Sequence, residues 1–402
     1  MGDTARKPFK DFVDAAAVDR LASVVHAAWP AFDVGGFRAA ASNGLDALEL
    51  TPRVAHIGEA LRRHLPAEFE TTARILQAVP GHWSRSSTQA TGDFATWPLF
   101  HVVPASGLEH FELGMETLRV LTPMFSAEGA IRPFLERYGE RAFTVLHRWT
   151  ADPDPHVRRL VSEGTRPRLP WFSRVRRLTD DPKPGLALLD RLVDDDSLYV
   201  RRSVANHLND VSRDHPDAAV STARAWLQAT NARREWVVKH ALRSLVKAGR
   251  PEVFELLGHD AAPSFRAGPL VVAPERVPFG GRVSFSTTLA ATGSAPARWV
   301  VDFELGFVGA RAGVAGATAA GALAGAAAGA AAGAASELEM PARRKVFKGT
   351  TVTLEPGASR TFEFAYDFRP ITTRRYYPGR HTFTLLVNGQ AAATGSFNVL
   401  AP

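Results

Sequence analysis

The sequence predicts an α + β multidomain protein in which an all-α repeat solenoid precedes an all-β sandwich. Two observations predict it: apolar residues follow helical spacing from about residue 10 to residue 260, and beyond about Ala262 they alternate with polar residues between turn signals. The length of 402 residues fits this division, because it is roughly 2.7 times a typical domain of about 150 residues. We therefore expect a helical domain over residues 1–260 and a β-domain over residues 262–402.

The helical part is illustrated by Val54, Ile57, Leu61 and Leu65, which recur at the spacing of one helix face. Pro66 follows directly and cannot continue a helix. We predict a helix that ends at this proline, and similar patterns with short breaks continue to about residue 260.

The middle of the chain contains an internal repeat. The strings HVRR at residue 156, YVRR at residue 199 and WVVK at residue 236 are separated by 43 and 37 residues. A period of about 40 residues that holds two helices is typical of HEAT-like repeats. Since stacked repeats place equivalent residues in a row, we expect the cations of these strings to line one basic surface.

The last part of the chain has the pattern of short strands separated by turns. The strand pattern is present at residues 282–287, 299–305, 350–354, 361–366 and 381–387, and Asn388-Gly389 is a typical two-residue hairpin turn. About six strands in about 110 residues favour an immunoglobulin-like sandwich. The sequence therefore predicts this fold for residues 262–402, without a cysteine pair to join its sheets.

A low-complexity insert, residues 312–336, interrupts the predicted sandwich with 15 Ala, 6 Gly and four other residues. Glycines at positions 321, 325, 329 and 333 recur every four residues, which is the spacing of closely packed membrane helices. Only Val314 and Leu323 are strongly apolar, and each glycine disfavours a helix by about 1 kcal/mol relative to alanine. We expect a flexible loop, with a docked helix and a membrane segment as the alternatives.

The formal net charge of +7 is unevenly distributed along the chain. It is −4 for residues 1–130, +8 for 131–250, −3 for 251–340 and +6 for 341–402. Two separate basic stretches indicate a polyanionic partner held at two places, although arginines that only solvate helix faces would give the same counts. The N-terminal residues contain no apolar core, so we expect no secretory signal and a cytoplasmic protein.

The sequence lacks the residues that several kinds of functional site require. The chain has no cysteine, which excludes disulfides, thiolate zinc sites, iron–sulfur clusters and cysteine nucleophiles. It also lacks the glycine-rich nucleotide-binding motifs, the HExxH zinc motif and the GxSxG serine motif. The 13 histidines are scattered, and we expect His207 and His240 to pack or face solvent rather than bind a metal. We expect neither a metal nor a cofactor.

The candidate site lies in a polar run, VRRLVSEGTRPRLPW at 157–171, and in VRRSVANHLND at 200–210. Glu163 follows Arg159 by four residues, so the two share a helix face and can pair. Prolines at positions 167 and 170 end that helix near Gly164 and present Trp171 from a rigid turn. In adjacent repeats, Glu163, Trp171 and Asp210 would converge on one spot. The spacing leaves open the alternatives of an exposed structural ion pair, a core tryptophan and an aspartate that caps or terminates a helix.

These strings carry a resemblance to a known family. SEGTRPRLPW, VRRSVANHLND with the HPD after it, and LTPMFSAEGAIRPFL at 121–135 resemble the AlkC branch of the DNA alkylation-repair glycosylases, HEAT-like proteins related to the AlkD branch. LDALELTPRV near residue 46 and TTRRYYPGRH in the β-domain extend the likeness from about residue 10 to the C-terminus. The resemblance implies a C-terminal immunoglobulin-like domain, and the Ala/Gly insert is a departure from it.

The resemblance also implies the site and its substrate. Glu163 and Asp210 would be the active-site carboxylates, Trp171 the aromatic residue beside the lesion, Glu128 a further acidic residue and Arg159 a supporting cation. Members hydrolyse the N-glycosidic bond of cationic alkylated bases in double-stranded DNA, with 3-methyladenine the main expected base and 3-methylcytosine and 1-methyladenine as further candidates. We expect a monofunctional enzyme that leaves an abasic site, because no lysine lies in the matched motifs to form a Schiff base.

The residue types suit that reaction. Alkylation at N3 makes the base cationic and a good leaving group, so no acid is needed to protonate it. Positive charge develops on the deoxyribose as the glycosidic bond breaks, and a carboxylate held there stabilises that charge. An indole face adds a cation–π attraction of about 0.5 to 2 kcal/mol to a cationic base.

Two groups of arginines are the predicted contacts with the DNA backbone. They are Arg158, Arg166, Arg168, Arg201 and Arg202 in the helical domain and Arg374 and Arg375 in the β-domain. We expect a cytoplasmic monomer that acts on nucleoid DNA without contact to a membrane. A non-catalytic damage-binding or scaffold protein and a HEAT-type protein-interaction module are the rival functions. The joint presence of Glu163, Asp210 and Trp171 favours the enzyme, and the arginine-rich stretches argue against the interaction module.

Overall fold

A computed structural model of the chain describes residues 7–84, 93–229, 231–309, 343–371 and 374–401. Contacts within the chain group it into two compact units, residues 1–242 and residues 243–402. The first unit is helical, and the second contains two short helices followed by two β-sheets. The Ala/Gly insert at 312–336 lies outside the described residues.

The described part of the first unit is built from α-helices with a few short 3-10 helices. The 3-10 helices are Phe9–Phe12, Leu45–Ala47, Phe94–Thr96 and Thr122–Met124. The α-helices are α1 (Ala15–Ala28), α2 (Val34–Ser42), α3 (Leu50–His64), α4 (Phe69–His82), α5 (Trp97–Gly107), α6 (Phe111–Leu121), α7 (Arg132–Tyr138), α8 (Glu140–Trp149), α9 (Pro155–Gly164), α10 (Arg176–Asp180), α11 (Lys183–Leu192), α12 (Leu198–Asp214), α13 (Pro216–Trp226) and α14 (Ala232–Ala241). The prediction that a helix ends just before Pro66 is confirmed by α3.

Local side-chain chemistry sets where several of these helices begin and end. The N-caps of α1, α9 and α14 are Asp14, Asp154 and Asn231, and the side chain of each accepts a hydrogen bond from a backbone N–H of the first turn. Pro155 suits the first position of α9, because the N–H that it lacks would have no partner there. The end of α9 at Gly164 confirms the predicted stop before Pro167.

The internal repeat of the sequence is a structural repeat. Two of its strings lie in the first turns of α9 and α12, the third begins four residues into α14, and α12 packs against both other helices. The Nη1 groups of Arg158 and Arg201 each donate to the two carbonyls that lie six and five residues earlier in the chain. Each of these arginines thus fixes the turn before its own helix.

None of the helices in the described ranges combines the length and the apolar character needed to cross a membrane.

The second unit begins with α15 (Arg243–Lys247) and α16 (Pro251–Leu256). Its strands are β1 (Phe265–Ala267), β2 (Val271–Ala273), β3 (Arg276–Val277), β4 (Arg282–Ala291), β5 (Ala297–Phe307), β6 (Arg343–Leu354), β7 (Ser359–Asp367), β8 (Gly379–Val387) and β9 (Gln390–Val399). All five predicted strands are present. Asn388 and Gly389 join β8 to β9 with φ of 46° and 78°, as the predicted tight hairpin turn requires.

The strands form two sheets that face each other. In one sheet, β4 pairs with β7 along one edge and with the short strands β1 and β2 along the other. The other sheet has the order β3-β9-β8-β5-β6. Phe285 of β4 stacks on Phe383 of β8 with ring centres 3.8 Å apart, and Trp299 of β5 is fully buried. These contacts between the sheets form the core of the predicted sandwich.

The change from helix to strand lies between Leu256 and Phe265, close to the division expected at residues 260–262. The chain nevertheless divides into its two compact units after residue 242, because α15 and α16 group with the sheets. One reason is the close approach of Gly249, which follows α15, to Gly389 of the hairpin: a Cβ on either glycine would meet the backbone of the other. Both glycines also have positive φ, so the turn and the contact favour the same residue type.

Candidate active site

The three predicted carboxylates lie together and are held by two arginines. Glu163 is on α9, Asp210 is on α12 and Glu128 is in the turn before α7. The side chains of Arg159 and Arg166 pair with them. These five residues are called the carboxylate–arginine cluster below. Glu163 and Asp210 are each only 5% exposed, so the cluster is almost withdrawn from bulk solvent.

Arg166 connects the two central carboxylates. Its Nη1 donates to Oε1 of Glu163 over 2.6 Å, and its Nε donates to Oδ2 of Asp210 over 2.8 Å. The sequence suggested a phosphate contact for this arginine. In the structure, its guanidinium is instead buried between carboxylates of α9 and α12. A pair of helices is thereby joined through one side chain.

Arg159 holds the third carboxylate. Its Nη1 lies 2.9 Å from Oε2 of Glu128 and 3.1 Å from Oγ of Ser126, and its guanidinium lies 4.8 Å from the centre of the Tyr199 ring. The predicted pair with Glu163 is present, but at 3.7 Å it is the longer contact. Both side chains of that pair are largely buried, so the alternative of an exposed structural pair is wrong.

Two residues that the sequence analysis did not assign complete the surroundings of Glu163. The hydroxyl of Ser203 donates to Oε2 of Glu163 over 2.5 Å and lies 3.0 Å from Oγ of Ser162. Nδ1 of His207 donates to the carbonyl of Ser162 over 2.9 Å, so of the two predicted settings, packed or facing solvent, this histidine has the packed one. Ser203 precedes Asp210 by seven residues, which is two helical turns, so helical periodicity placed it on the same face.

The cluster perturbs the ionisation of its acids in different directions. Burial raises the pKa of Glu128, Arg159 opposes that shift, and the nearby charge of Glu163 adds to it. Burial also raises the pKa of Asp210, although a hydrogen bond from Arg166 opposes it. For Glu163, the charges of Arg159 and Arg166 outweigh burial, and its pKa lies below the usual value. Glu163 is therefore the carboxylate most firmly held in its ionised form.

Two carboxylate oxygens of the cluster remain open to a ligand. Glu128 uses Oε2 for Arg159 and Ser126, and Asp210 uses Oδ2 for Arg166. Within the described ranges, Oε1 of Glu128 and Oδ1 of Asp210 make no hydrogen bond, whereas both oxygens of Glu163 have partners. Helix α12 continues past Asp210 to residue 214, so the alternative in which this aspartate terminates its helix is wrong.

Trp171 is presented to solvent from a strained backbone position. It is 54% exposed and has φ of 69°, a left-handed conformation that costs a non-glycine residue on the order of 1–3 kcal/mol. Its ring lies 5.8 Å from those of Phe9 and Trp97. The alternative in which this tryptophan fills the core is therefore wrong. The strain indicates that the surrounding structure imposes this backbone conformation on the residue.

An apolar cavity of about 230 Å³ lies beside Trp171. Its walls come from α3, from α5, from the two residues that follow Glu128, and from the segment after α9. The lining residues are Thr51, Val54, Ala55, Trp97, Phe100, His101, Pro104, Gly129, Ala130, Trp171 and Phe172. The described residues contain no group of three or more His, Asp or Glu side chains placed to hold a metal ion.

The arginines of the helical domain that were predicted to contact DNA differ in the contacts that they make within the protein. Arg158 makes a two-pronged pair with Asp195, and Arg168 pairs with Asp214. Arg201 donates to carbonyls of the turn before α12. Arg202 is exposed and, within the described part of the chain, makes no hydrogen bond or ion pair.

The two arginines of the β-domain also differ from each other. Arg374 donates from Nη1 to the hydroxyl of Tyr366 over 3.0 Å, and its guanidinium lies 4.5 Å from the centre of the Phe307 ring. Arg375 is exposed, with its guanidinium 5.5 Å from the Tyr377 ring. Only the second arginine therefore has the free, solvated position that a phosphate contact requires.

Comparisons with known proteins agree with this architecture. Residues 339–401 match the family model described as "Uncharacterised protein YhaZ, C-terminal Ig-like domain". The chain is 30% identical over 352 residues to the uncharacterized protein YhaZ of Bacillus subtilis (strain 168), an alignment that covers 88% of each protein. Its fold is similar to that of the alkylpurine DNA glycosylase AlkC of Pseudomonas fluorescens, solved bound to DNA containing an abasic site analog. The TM-score is 0.84 at 34% identity, over 98% of this chain and 100% of that one.

Helical repeats that carry a buried carboxylate–arginine cluster, followed by an immunoglobulin-like domain, define a protein with the AlkC-like fold. The chain belongs to the AlkC family and is also a relative of YhaZ of Bacillus subtilis. The resemblance of its sequence strings to that family is thereby confirmed.

Proposed function

We propose that this protein is a DNA glycosylase of base excision repair that hydrolyses the N-glycosidic bond of cationic alkylated bases and leaves an abasic site. The observation that carries the proposal is the buried cluster with two open carboxylate oxygens, in a chain 34% identical to an alkylpurine DNA glycosylase. The main base proposed is 3-methyladenine, with 3-methylcytosine and 1-methyladenine as further substrates. The proposed enzyme is a cytoplasmic monomer that acts on double-stranded DNA.

Asp210 is proposed to act at the deoxyribose. Its Oδ2 is fixed by Arg166, so Oδ1 is held in one place without the need to reorganise during the reaction. A carboxylate fixed in this way stabilises the positive charge that develops on the sugar, and it can orient the attacking water. The nearly buried setting strengthens this interaction, because bulk water screens it little.

Glu163 and Glu128 are proposed to have different parts in the same site. Glu163 has no open oxygen, and it holds Arg166 and Ser203 in position while it stays ionised. Glu128 keeps Oε1 open, and burial raises its pKa and so its basicity, which suits it to accept a proton from water. We propose that Glu128 positions or deprotonates the water and that Asp210 stabilises the sugar.

Trp171 is proposed to select for charge. Its exposed indole offers a face to a cationic base, and a cation–π attraction of about 0.5 to 2 kcal/mol favours such a base over neutral adenine. The neighbouring rings of Phe9 and Trp97 are proposed to hold the indole ready for that contact before DNA binds.

The test is the release of free 3-methyladenine from methylated DNA under single-turnover conditions. We expect release by the wild type, and we expect Asp210→Asn to slow it by about 10² to 10³-fold, because a neutral amide does not stabilise the cationic sugar. Glu163→Gln is expected to slow it as well, since Arg166 loses one of its two anionic partners. Asp217→Asn, an exposed acid on α13, is the matched control and is expected to react at the wild-type rate.

The same measurement separates the rival functions. Tight binding of methylated DNA without release of base by the wild type would mean a non-catalytic damage-binding protein. Release that persists undiminished in both Asp210→Asn and Glu163→Gln would refute the assignment of the site but not the activity.

A further inference from the structure

Arg132, the first residue of α7, holds the segment that follows α9. Its Nη1 donates to the carbonyls of Gly164 and Arg166, over 3.0 and 2.9 Å. Its Nε and Nη2 both donate to the carbonyl of Ser173, over 3.1 and 2.9 Å. One planar guanidinium therefore binds both ends of the segment 164–173.

This arginine is unusual because it is buried without an anionic partner. It is 3% exposed, and in the described ranges no carboxylate lies within ion-pair distance of it. Burial lowers its pKa to about 10, with Glu136 and Glu128 opposing at longer range. An unpaired buried charge is costly unless hydrogen bonds satisfy it. The backbone carbonyls of the segment accept those hydrogen bonds. The segment therefore satisfies the buried charge of Arg132, and Arg132 in turn holds the segment in place.

The segment carries two residues of the proposed site. The backbone carbonyl of Arg166 is one of the three that accept from Arg132, while the Arg166 guanidinium joins Glu163 to Asp210. Trp171 lies two residues before Ser173 and has the strained positive φ. Because both ends of the segment are held, the backbone of Arg166, from which its side chain extends, is fixed. The backbone that follows Trp171 is fixed as well.

A second contact, with the turn just before Arg132, supports the same segment. The ring of Phe172 lies so close to Gly129 that a Cβ on this glycine would be 1.9 Å from the ring. The turn that carries Glu128 therefore accepts the residue next to Trp171 only because it has no side chain at position 129. The turn that carries Glu128, the side chain of Arg132 and segment 164–173 therefore pack against one another.

We propose that Arg132 is a positioning residue that holds segment 164–173 so that Arg166 and Trp171 keep their places in the site. The proposal rests on the proposed glycosylase function and adds a residue to it. A lysine cannot replace this arginine, because its three donors radiate from a single nitrogen and cannot bind carbonyls at both ends of the segment. Charge is thus not sufficient, and the forked geometry of the guanidinium is what the segment requires.

The experiment compares wild type with Arg132→Lys in single-turnover release of 3-methyladenine and in affinity for DNA. We expect the rate at saturating protein to fall by about 10 to 100-fold, since a misplacement of about 1 Å can reduce a rate by that much, and the DNA Kd to change by less than about threefold. Gly129→Ala, which displaces Phe172, is expected to change the rate in the same direction.

Leu135→Val is the matched control, because it removes a buried methylene from the same helix, α7, and the apolar side chain of Leu135 makes no hydrogen bond to the segment. The Tm of each variant is measured, and the two rates are compared at temperatures that lie equally far below the two Tm values. An Arg132→Lys rate equal to that of Leu135→Val, or a loss that saturating protein restores, would overturn the proposal.

A readout without DNA keeps this outcome distinct from a failure of the proposed function. Trypsin can cleave after Arg168 inside the segment, and we expect faster cleavage there in Arg132→Lys than in Leu135→Val. If the wild type releases no base, the proposed function fails, and the cleavage rates still decide the proposal. Equal cleavage in the two variants would refute a role for Arg132 in holding the segment.

Discussion

Among the single residues of the site, Arg166 is the one that connects Glu163 to Asp210. Prolines at positions 167 and 170 keep it out of α9, and from the chain just beyond the helix its side chain reaches carboxylates on two helices. Sequence spacing predicted the end of the helix, but it could not predict the direction of this side chain. The basic residue expected at a phosphate is therefore the internal partner of the two central acids.

The pH dependence of base release tests the link between Arg166 and Asp210. Burial raises the pKa of Asp210 above its usual value, and the Arg166 guanidinium limits that rise. Arg166→Gln removes the positive charge, so the pKa of Asp210 rises further and its ionised form is lost at a higher pH. We expect the acidic limb of the pH–rate profile to move to higher pH. The measurement is the single-turnover rate at a series of pH values.

Arg168→Gln is the control for that profile, because Arg168 pairs with Asp214 at the end of α12 and not with the cluster. Its acidic limb is expected to coincide with that of the wild type even if its affinity for DNA falls. A limb that stays in place in Arg166→Gln, or moves to lower pH, would show that the ionisation of Asp210 does not set the acidic limb.

At the scale of elements, the packing of α12 on α9 depends on a neutral histidine. His207 of α12 donates from Nδ1 to the carbonyl of Ser162 on α9 and is 2% exposed. Gly185 of α11 approaches its ring, and a side chain there would lie in tight contact with Nε2. The two helices that carry Glu163 and Asp210 are therefore joined by a hydrogen bond that needs no charge.

Burial of His207 makes the stability of the helical unit sensitive to acid. Its pKa is lowered to about 3 in the folded protein, against about 6.5 when unfolded. Between these values the unfolded chain binds more protons, so stability falls as pH decreases from about 6.5, by about 1.4 kcal/mol per pH unit from this group. We expect His207→Asn, which keeps a donor near the position of Nδ1, to lose about that much of the slope. Urea unfolding at pH 7.5, 6 and 5 measures it, and an unchanged slope would contradict the assignment.

The elements that the sequence predicted correctly are those set by local chemistry. Pro66 ends α3, the prolines after Gly164 end α9, and Asn388-Gly389 turns the hairpin. The short strands β1 to β3 were not predicted, because each is two or three residues long and is defined by its pairing with a distant strand. The grouping of α15 and α16 with the sheets likewise depends on a contact between distant glycines.

The same distinction applies to the site. Family strings identified Glu128, Glu163 and Asp210, and these three do lie together. Arg132 was not identified, although it stands in one of those strings. Its partners are backbone carbonyls, and a carbonyl has no signature in the sequence, so no charge pattern or spacing indicates that an arginine will bind it.

For the whole molecule, net charge overstates the cations that are available to a partner. The stretch 131–250 carries a formal charge of +8, yet Arg158 and Arg201 hold turns of the repeats, and Arg159 and Arg166 serve the cluster. Arg202 remains exposed beside them. The basic surface expected from the repeat is therefore made by fewer residues than the repeat contains, because about half of its cations stabilise the fold.

In the β-domain, this reasoning separates two neighbouring arginines that the sequence treated alike. Arg375 is exposed, whereas Arg374 binds Tyr366 and lies over Phe307. We expect Arg375→Ala to weaken DNA binding and to lower the slope of log K against log salt by about 1, as the loss of one phosphate contact does. Arg374→Ala is expected mainly to lower the Tm of the β-domain, because it removes a packed cation and not a free one. Equal losses of slope would show that Arg374 leaves the rings to bind DNA, and an unchanged slope in both would mean that these arginines do not contact DNA.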